Sequence, residues 1–309
     1  MSDIFNLLLL QNTLRTATPV VLAALGCLLT QHVNMTNIGI EGMMLTGAFF
    51  AVWGSYLFGS WVMGLVFAIG IGILLGLFYY VFVISFKSDE FIIGVALNIF
   101  AGGLTVFMLR TLLKVKGSFS DPAIVPLPII SIPLIRDIPV LGPLLSGNTL
   151  LVYVSWLFIP LTWMLIYKTP LGFHLRAAGE YPDALRAAGK NPNRMKCLAS
   201  VLCGVLSSLA GAHLSLGYLR MFSENMSAAR GYVAFACVIF GQGNPPRVFL
   251  AALLFGLIEA MGLRMQKYIS SDLTSIAPYA VTLIMMVVLA LVRRRKKRTG
   301  AEDAQELRP

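Results

Sequence analysis

Thr169–Lys196 reads TPLGFHLRAAGEYPDALRAAGKNPNRMK, a polar and basic island between two long apolar runs, Leu150–Tyr167 and Leu198–Leu216. Each run approaches the roughly 20 apolar residues that a helix needs to cross a bilayer, so the island joins two membrane spans. It is too long and too patterned for a plain turn. Within it, Pro182-Asp183-Ala184-Leu185-Arg186-Ala187-Ala188-Gly189 places a proline at the start and a glycine at the end of a short helix. A short helix carried on the cytoplasmic face of a membrane protein is a docking element.

The rest of the chain extends this reading. Its 309 residues are 57% hydrophobic and 12% charged, with a mean hydropathy of +0.80, whereas a soluble domain is about 25% charged. The fold class is therefore all-α, a polytopic helical membrane protein. Nine spans are expected: Leu14–Gln31, Gly39–Phe58, Trp61–Phe86, Phe91–Leu113, Leu150–Tyr167, Leu198–Leu216, Gly231–Phe240, Phe249–Met265 and Ser275–Val292. The seventh is short, flanked by Arg230 and by Gly241-Gln242-Gly243, and reads either as a half-helix or as a span extended by its polar flanks. Residues 1–292 form the membrane domain and residues 293–309 a basic tail.

Arg293 to Arg298 are all Lys or Arg, directly after an apolar run, and Lys/Arg-rich loops stay in the cytoplasm. With that tail inside, counting back four spans puts Lys168–Lys196 inside too, together with Gly243–Arg247 and Lys87–Glu90. The proline-rich segment Lys114–Gly147 then lies outside, as does the N-terminus. That segment carries Pro122, Pro126, Pro128, Pro133, Pro139 and Pro143. Because proline removes backbone donors, an ordered, non-helical cover over the membrane is expected there, serving either as a plain connection or as a gate or docking surface.

The net charge of +10 does not point to nucleic acid, because neither basic run has interleaved aromatics for stacking on bases. Cys27, Cys197, Cys203 and Cys237 lie in or beside apolar spans without a CxxC pair, and His32, His174 and His213 are scattered, so no metal site is expected. No cleavable signal peptide is read at the start. Gly189-Lys190 is followed by Asn191 and not by Ser or Thr, so the phosphate-cradling loop of an ATPase is missing. No catalytic constellation emerges.

Asn34-Met35-Thr36-Asn37-Ile38-Gly39-Ile40-Glu41-Gly42 interrupts apolar sequence with polar groups and glycines. It permits a broken helix in which Asn37 caps the helix that follows and Glu41 sits in its first turn. One reading is an ordinary capped re-entry. The other is that Asn37 and Glu41 line a solute pathway. Asn98, in GVALNIFAGG, can exchange hydrogen bonds with a polar solute. Glu259 falls mid-span, where a carboxylate costs about 2.5–3.5 kcal/mol, so it should face a wet cavity, an interface or a polar partner, or be protonated and packed. Small residues recur four apart at Gly72/Gly76, Ser207/Gly211 and Ala252/Gly256/Ala260, which permits close helix packing within the chain or between subunits.

Two of these segments, NIGIEGMMLTGAFFA (Asn37–Ala51) and TPLGFHLRAAGEYPDALRAAGKN (Thr169–Asn191), resemble the permease subunits of bacterial ABC importers for simple sugars, nucleosides and branched-chain amino acids. The likeness runs from about Leu14 to Val292, and the NIGIEGMM form with Glu41 is most similar to the nucleoside and simple-sugar branch. The resemblance implies an inner-membrane, multi-pass permease with a cytoplasmic C-terminus and no enzymatic activity of its own. ATP and Mg would bind a partner ATPase, and this chain would hold no cofactor. Its partners would be that ATPase, a second permease chain in a heterodimer rather than a homodimer, and an external solute-binding protein or lipoprotein. Glu180, Tyr181, Pro182, Asp183, Ala184, Leu185, Arg186 and Gly189 would form the coupling helix in the ATPase cleft. Asn37, Glu41, Asn98 and Glu259 are the candidates for the solute pathway. Nucleosides are the expected solute, with simple sugars or branched-chain amino acids as alternatives. A reading from another class is an ion-coupled secondary transporter in which Glu259 carries the proton or cation.

Overall fold

The structure is a computed structural model and describes residues 7–131 and 146–266. The ninth expected span, the basic tail, and Pro133, Pro139 and Pro143 of the outer segment lie outside the described residues. The chain divides into two compact units, residues 1–257 and 258–309.

Helices fill the described residues: α1 (Leu7–His32), α2 (Ile40–Phe58), α3 (Trp61–Tyr80), α4 (Glu90–Leu112), α5 (Leu150–Lys168), α6 (Pro170–Glu180), α7 (Pro182–Ala187), α8 (Pro192–Ala212), α9 (Arg230–Gly241) and α10 (Pro245–Met265). Helix α3 continues as a π-helical turn to Ser85, and α8 continues as one to Leu219. Eight of the nine expected spans coincide with helices. Six are long and apolar enough to cross a membrane: Leu9–His32, Trp61–Ser85, Glu90–Leu112, Leu150–Lys168, Pro192–Leu219 and Pro245–Met265. Helix α2 has 19 residues and α9 only 12. Both begin after a break inside the bundle, and the short seventh segment is a half-helix.

Helices α1, α2 and α8 make the core. Fourteen consecutive positions of α1, Ala17–Thr30, are all buried, as expected of a helix that is apolar all round. Helix α8 lies against α1, α2 and α3, and the approach is backbone to backbone. A Cβ on Gly204 would collide with the Gly72 carbonyl oxygen, and one on Gly211 with the Met44 carbonyl oxygen. Ser200 Oγ donates to Gly76 O at 2.8 Å, and Ser208 Oγ to Met43 O at 3.2 Å. The small-residue stripes at Gly72/Gly76 and Gly211 thus serve packing within the chain, where van der Waals contact holds helices together in lipid. Helices α3, α4 and α5 leave one side exposed, with Leu74, Ile99, Phe107 and Leu157 standing out from the surface.

Two ends are distinguishable from the contacts. At one end His32 Nε2 bonds Gly243 O at 3.0 Å and Tyr167 Oη donates to the same oxygen at 3.5 Å. Tyr79 Oη donates to Thr36 O at 2.8 Å, and the Thr36 amide donates to the Glu90 carboxylate. The segments expected inside, around Lys87–Glu90, Lys168–Lys196 and Gly243–Arg247, therefore cluster together. At the other end two short antiparallel strand pairs form. Ser118–Phe119 (β1) pairs with Phe222–Ser223 (β4), and Ile129–Ile130 (β2) pairs with Asn148–Thr149 (β3). The described part of the proline-rich segment is non-helical, as its prolines favour, with Ser118–Phe119 and Ile129–Ile130 strand-paired.

Candidate functional site: a broken-helix junction and a polar surface helix

After His32 the chain turns back alongside α1 instead of leaving the bundle. The Asn37 carbonyl lies 4.0 Å from Cys27 Sγ, well before the end of α1. Asn37 Oδ1 accepts from the Gly39 amide at 2.9 Å, and its Nδ2 reaches Cys203 Sγ at 3.4 Å and Met43 Sδ at 3.8 Å. Asn37 is fully buried, with both halves of its amide engaged inside the chain. Its bonds shape the break. It does not cap α2 as expected, since its bond ends on Gly39, the residue before the helix.

The cap comes from another helix. Asn98 Oδ1 accepts from the Gly42 amide at 2.7 Å, while its Nδ2 donates to Ile38 O at 3.1 Å and to Tyr232 Oη at 3.0 Å. Asn98 is on α4, eight residues beyond Glu90, about 12 Å of helical rise. The start of α2 therefore lies well inside the bundle. A single amide satisfies the last carbonyl of the break, the orphan donor of the new helix, and the hydroxyl of a third element.

Glu41 does not serve its own helix either. Its Oε1 accepts from the Ala229 amide at 2.8 Å and its Oε2 from the Gly231 amide at 2.7 Å. Those amides are donors at the start of α9 with no acceptor in their own helix, where a carboxylate is favoured by both hydrogen bonding and the helix dipole. The carboxylate is buried, and the backbone of Gly231 sits so close to Glu41 that a Cβ there would clash. Ala228 and Ala229 adopt φ of 45° and 62°, a left-handed turn that aims the amides at one point. Two breaks far apart in sequence are thus joined by one carboxylate. Neither Tyr232 nor the Ala229–Gly231 amides stood out in the sequence. The available signal was the polar stretch Ser223–Arg230 ahead of a helix too short to span.

Below the junction, a cavity of about 190 Å³ lies between Cys27 and Gln31 of α1, the Asn34–Thr36 turn, and Phe235, Val238 and Ile239 of α9. Glu259 is on α10, in the unit of residues 258–309, and the junction lies wholly in the first unit.

The polar island folds as two short helices. Thr169 Oγ1 caps α6 by accepting from the Gly172 amide at 3.1 Å. Helix α7 starts at Pro182, and Gly189 beyond it takes φ of 74°, the left-handed conformation that closes a helix. Asp183 and Arg186 pair at 2.9 Å on its exposed side, Leu185 is buried, and Tyr181 is 70% exposed. Glu180 ends α6, and Ala184 lies in the first turn of α7. Helix α6 seats on the end of α1 through Gly179, where a Cβ would strike the His32 carbonyl and the Val33–Asn34 backbone. The polar island is therefore in direct backbone contact with the residues that begin the break.

Comparison with known proteins supplies an independent line. A family model described as "Branched-chain amino acid transport system / permease component" matches residues 9–291. The chain is 32% identical over 283 residues to a putative glucose ABC transporter permease of Haloferax volcanii, covering 90% of this chain and 84% of that one. It is 31% identical over 289 residues to a guanosine ABC transporter permease of Bacillus subtilis, covering 89% of each. It is 28% identical over 293 residues to a nucleoside ABC transporter permease of Lactococcus lactis, covering 91% of this chain and 92% of that one. No solved structure matches the chain.

Proposed function

The chain belongs to the family of branched-chain amino acid transport system permease components, and from that premise we propose that it is one permease of an ATP-driven importer that carries nucleosides into a bacterial cell. Permeases of this family are multi-pass membrane subunits and not enzymes, and the ATPase is a separate subunit. In the proposed assembly the ATPase, loaded with ATP and Mg, docks on Tyr181–Gly189. A second permease chain completes the pore as a heterodimer, and a binding protein or lipoprotein delivers solute from outside. The basic end of the bundle and the C-terminus face the cytoplasm.

The observation that carries this reading is the seat of α6 on α1. Closure of the ATPase displaces α7, and α6 follows because Leu185 and the Tyr181–Leu185 backbone bond tie the two together. Helix α6 presses through Gly179 on His32–Asn34, the first residues of the break. Glu41 passes that shift to α9 through two hydrogen bonds, and Asn98 passes it to α4. Energy enters as the difference in ATP affinity between the two states, not as chemistry in this chain. Nucleosides are preferred over glucose and branched-chain amino acids on two grounds: guanosine and nucleoside permeases recur among the relatives, and the junction presents the exposed Tyr232 phenol without an unengaged buried charge to meet an amino acid.

The test is purification of the tagged chain in mild detergent, with identification of what accompanies it. The exchange Asp183→Arg with Arg186→Glu keeps the surface pair but inverts its charges. The expected result is recovery of an ATPase with the parent chain and its loss with the exchanged one. Guanosine uptake that persists in energised vesicles after ATP depletion would refute the reading and favour a gradient-driven carrier.

A further inference from the structure

We infer that Tyr232 is the contact on which the solute rests within the chain, its ring stacked on a flat heterocycle and its phenol donating to it, and that the inward route follows one face of α9 to the cavity. The inference rests on the importer reading above and names the solute-recognising group within it.

Three observations carry it. The first is depth. Tyr232 Oη accepts from Asn98 Nδ2 at 3.0 Å, and Asn98 stands about 12 Å of helical rise into α4, near the middle of a bilayer core about 30 Å thick. Tyrosines that merely anchor a protein at the headgroups sit at the ends of spans. The second is an unused donor. Among the described residues the phenol hydrogen meets no acceptor, and the side chain is 43% exposed. An exposed hydroxyl without an acceptor is costly in hydrocarbon but not in a wet passage. The third is periodicity. Tyr232, Phe235 and Ile239 share one face of α9 and, with the neighbouring Val233, are the more open positions beyond Arg230, while Ala234, Ala236, Cys237 and Val238 are buried. Phe235 and Ile239 line the cavity, whose other walls bring the polar groups of Gln31, Asn34 and Thr36. An aromatic step at mid-depth, followed by a partly polar chamber at the inner end, suits a nucleoside: the base stacks, and the hydroxyls of the sugar find amides. Asn98 is the positioning residue, since its Nδ2 holds the phenol oxygen and leaves the hydrogen free to point outward.

The experiment uses the whole importer in proteoliposomes, with tritiated guanosine as the probe and labelled glucose as the competitor class. Tyr232→Phe removes only the hydroxyl, and Tyr232→Leu removes the ring. The expected result is a rise in KM for guanosine of about threefold for Phe and about tenfold or more for Leu, with maximal rate changed far less than KM. A role in packing alone would lower the amount of assembled importer and leave KM unchanged. Unchanged KM in both variants overturns the inference while leaving the importer intact. If the Leu variant fails to assemble, the Phe variant decides by the same criterion. If the parent importer takes up glucose under ATP and not guanosine, the stacking of a heterocycle is overturned. If the parent shows no ATP-dependent uptake of either, the importer reading fails and this inference falls with it.

Discussion

Helices α8 and α9 are held in the bundle by different means. Helix α8 is locked by contact: Gly204 against the Gly72 backbone, Gly211 against Met44, with no room for a Cβ on either glycine. Helix α9 is also closely packed, with Gly231 against the Glu41 backbone, but it adds a clasp: one buried carboxylate on two amides. Close packing has a single minimum and resists displacement, because interiors are dense and stiff. A hydrogen-bonded clasp can travel with its partner while its bonds stay made. The difference separates the frame of this permease from the part suited to move.

Breaking the frame should have the largest effect. Gly204→Leu forces two backbones apart, and a loss on the order of 3 kcal/mol or more is expected. The readout is disappearance of the monodisperse peak on size exclusion in detergent. Breaking the clasp comes next. Glu41→Ala strands one buried and one part-buried amide, worth about 2–5 kcal/mol together, and should lower the thermal midpoint and abolish uptake. Glu41→Asp sharpens the comparison, since it keeps the charge but shortens the reach. Partial stability with lost uptake would show that the clasp's geometry, not its charge, transmits motion. Asn98→Ala removes the cap on α2 and the hold on Tyr232, at about 1–3 kcal/mol, and should lower both the midpoint and solute affinity. The Asp183/Arg186 exchange lies on an exposed pair. It should shift stability by less than about 0.5 kcal/mol while removing the ATPase. A large drop in its thermal midpoint would mean that α7 is part of the frame after all.

The frame was legible in the sequence and the clasp was not. Span positions follow from length and hydropathy, both local properties, and eight helices lie where apolar runs put them. The surface helix was legible because Pro182 and Gly189 are local signals of a start and a stop. The glycine spacing announced close packing. In contrast, the Glu41 and Gly231 bond joins residues 190 positions apart. Nothing near Glu41 states which helix its carboxylate will serve, and the neighbouring sequence favoured its own. Asn37 does not cap α2 for the same reason, because the cap on Gly42 comes from Asn98 on another helix. Tyr232 carries meaning only through Asn98 and through the cavity below it, which are features of the assembled bundle.

The bidentate grip of Glu41 also limits how α9 can move. A carboxylate holding one amide is a swivel, but one holding the amides of Ala229 and Gly231 at 2.8 and 2.7 Å fixes an orientation. Helix α9 cannot turn about its own axis without surrendering one bond and then the other. A slide or tilt made together with α2 leaves both bonds in place. The permitted motion is that of a keyed shaft rather than a screw, so the face bearing Tyr232 stays pointed in one direction throughout the stroke.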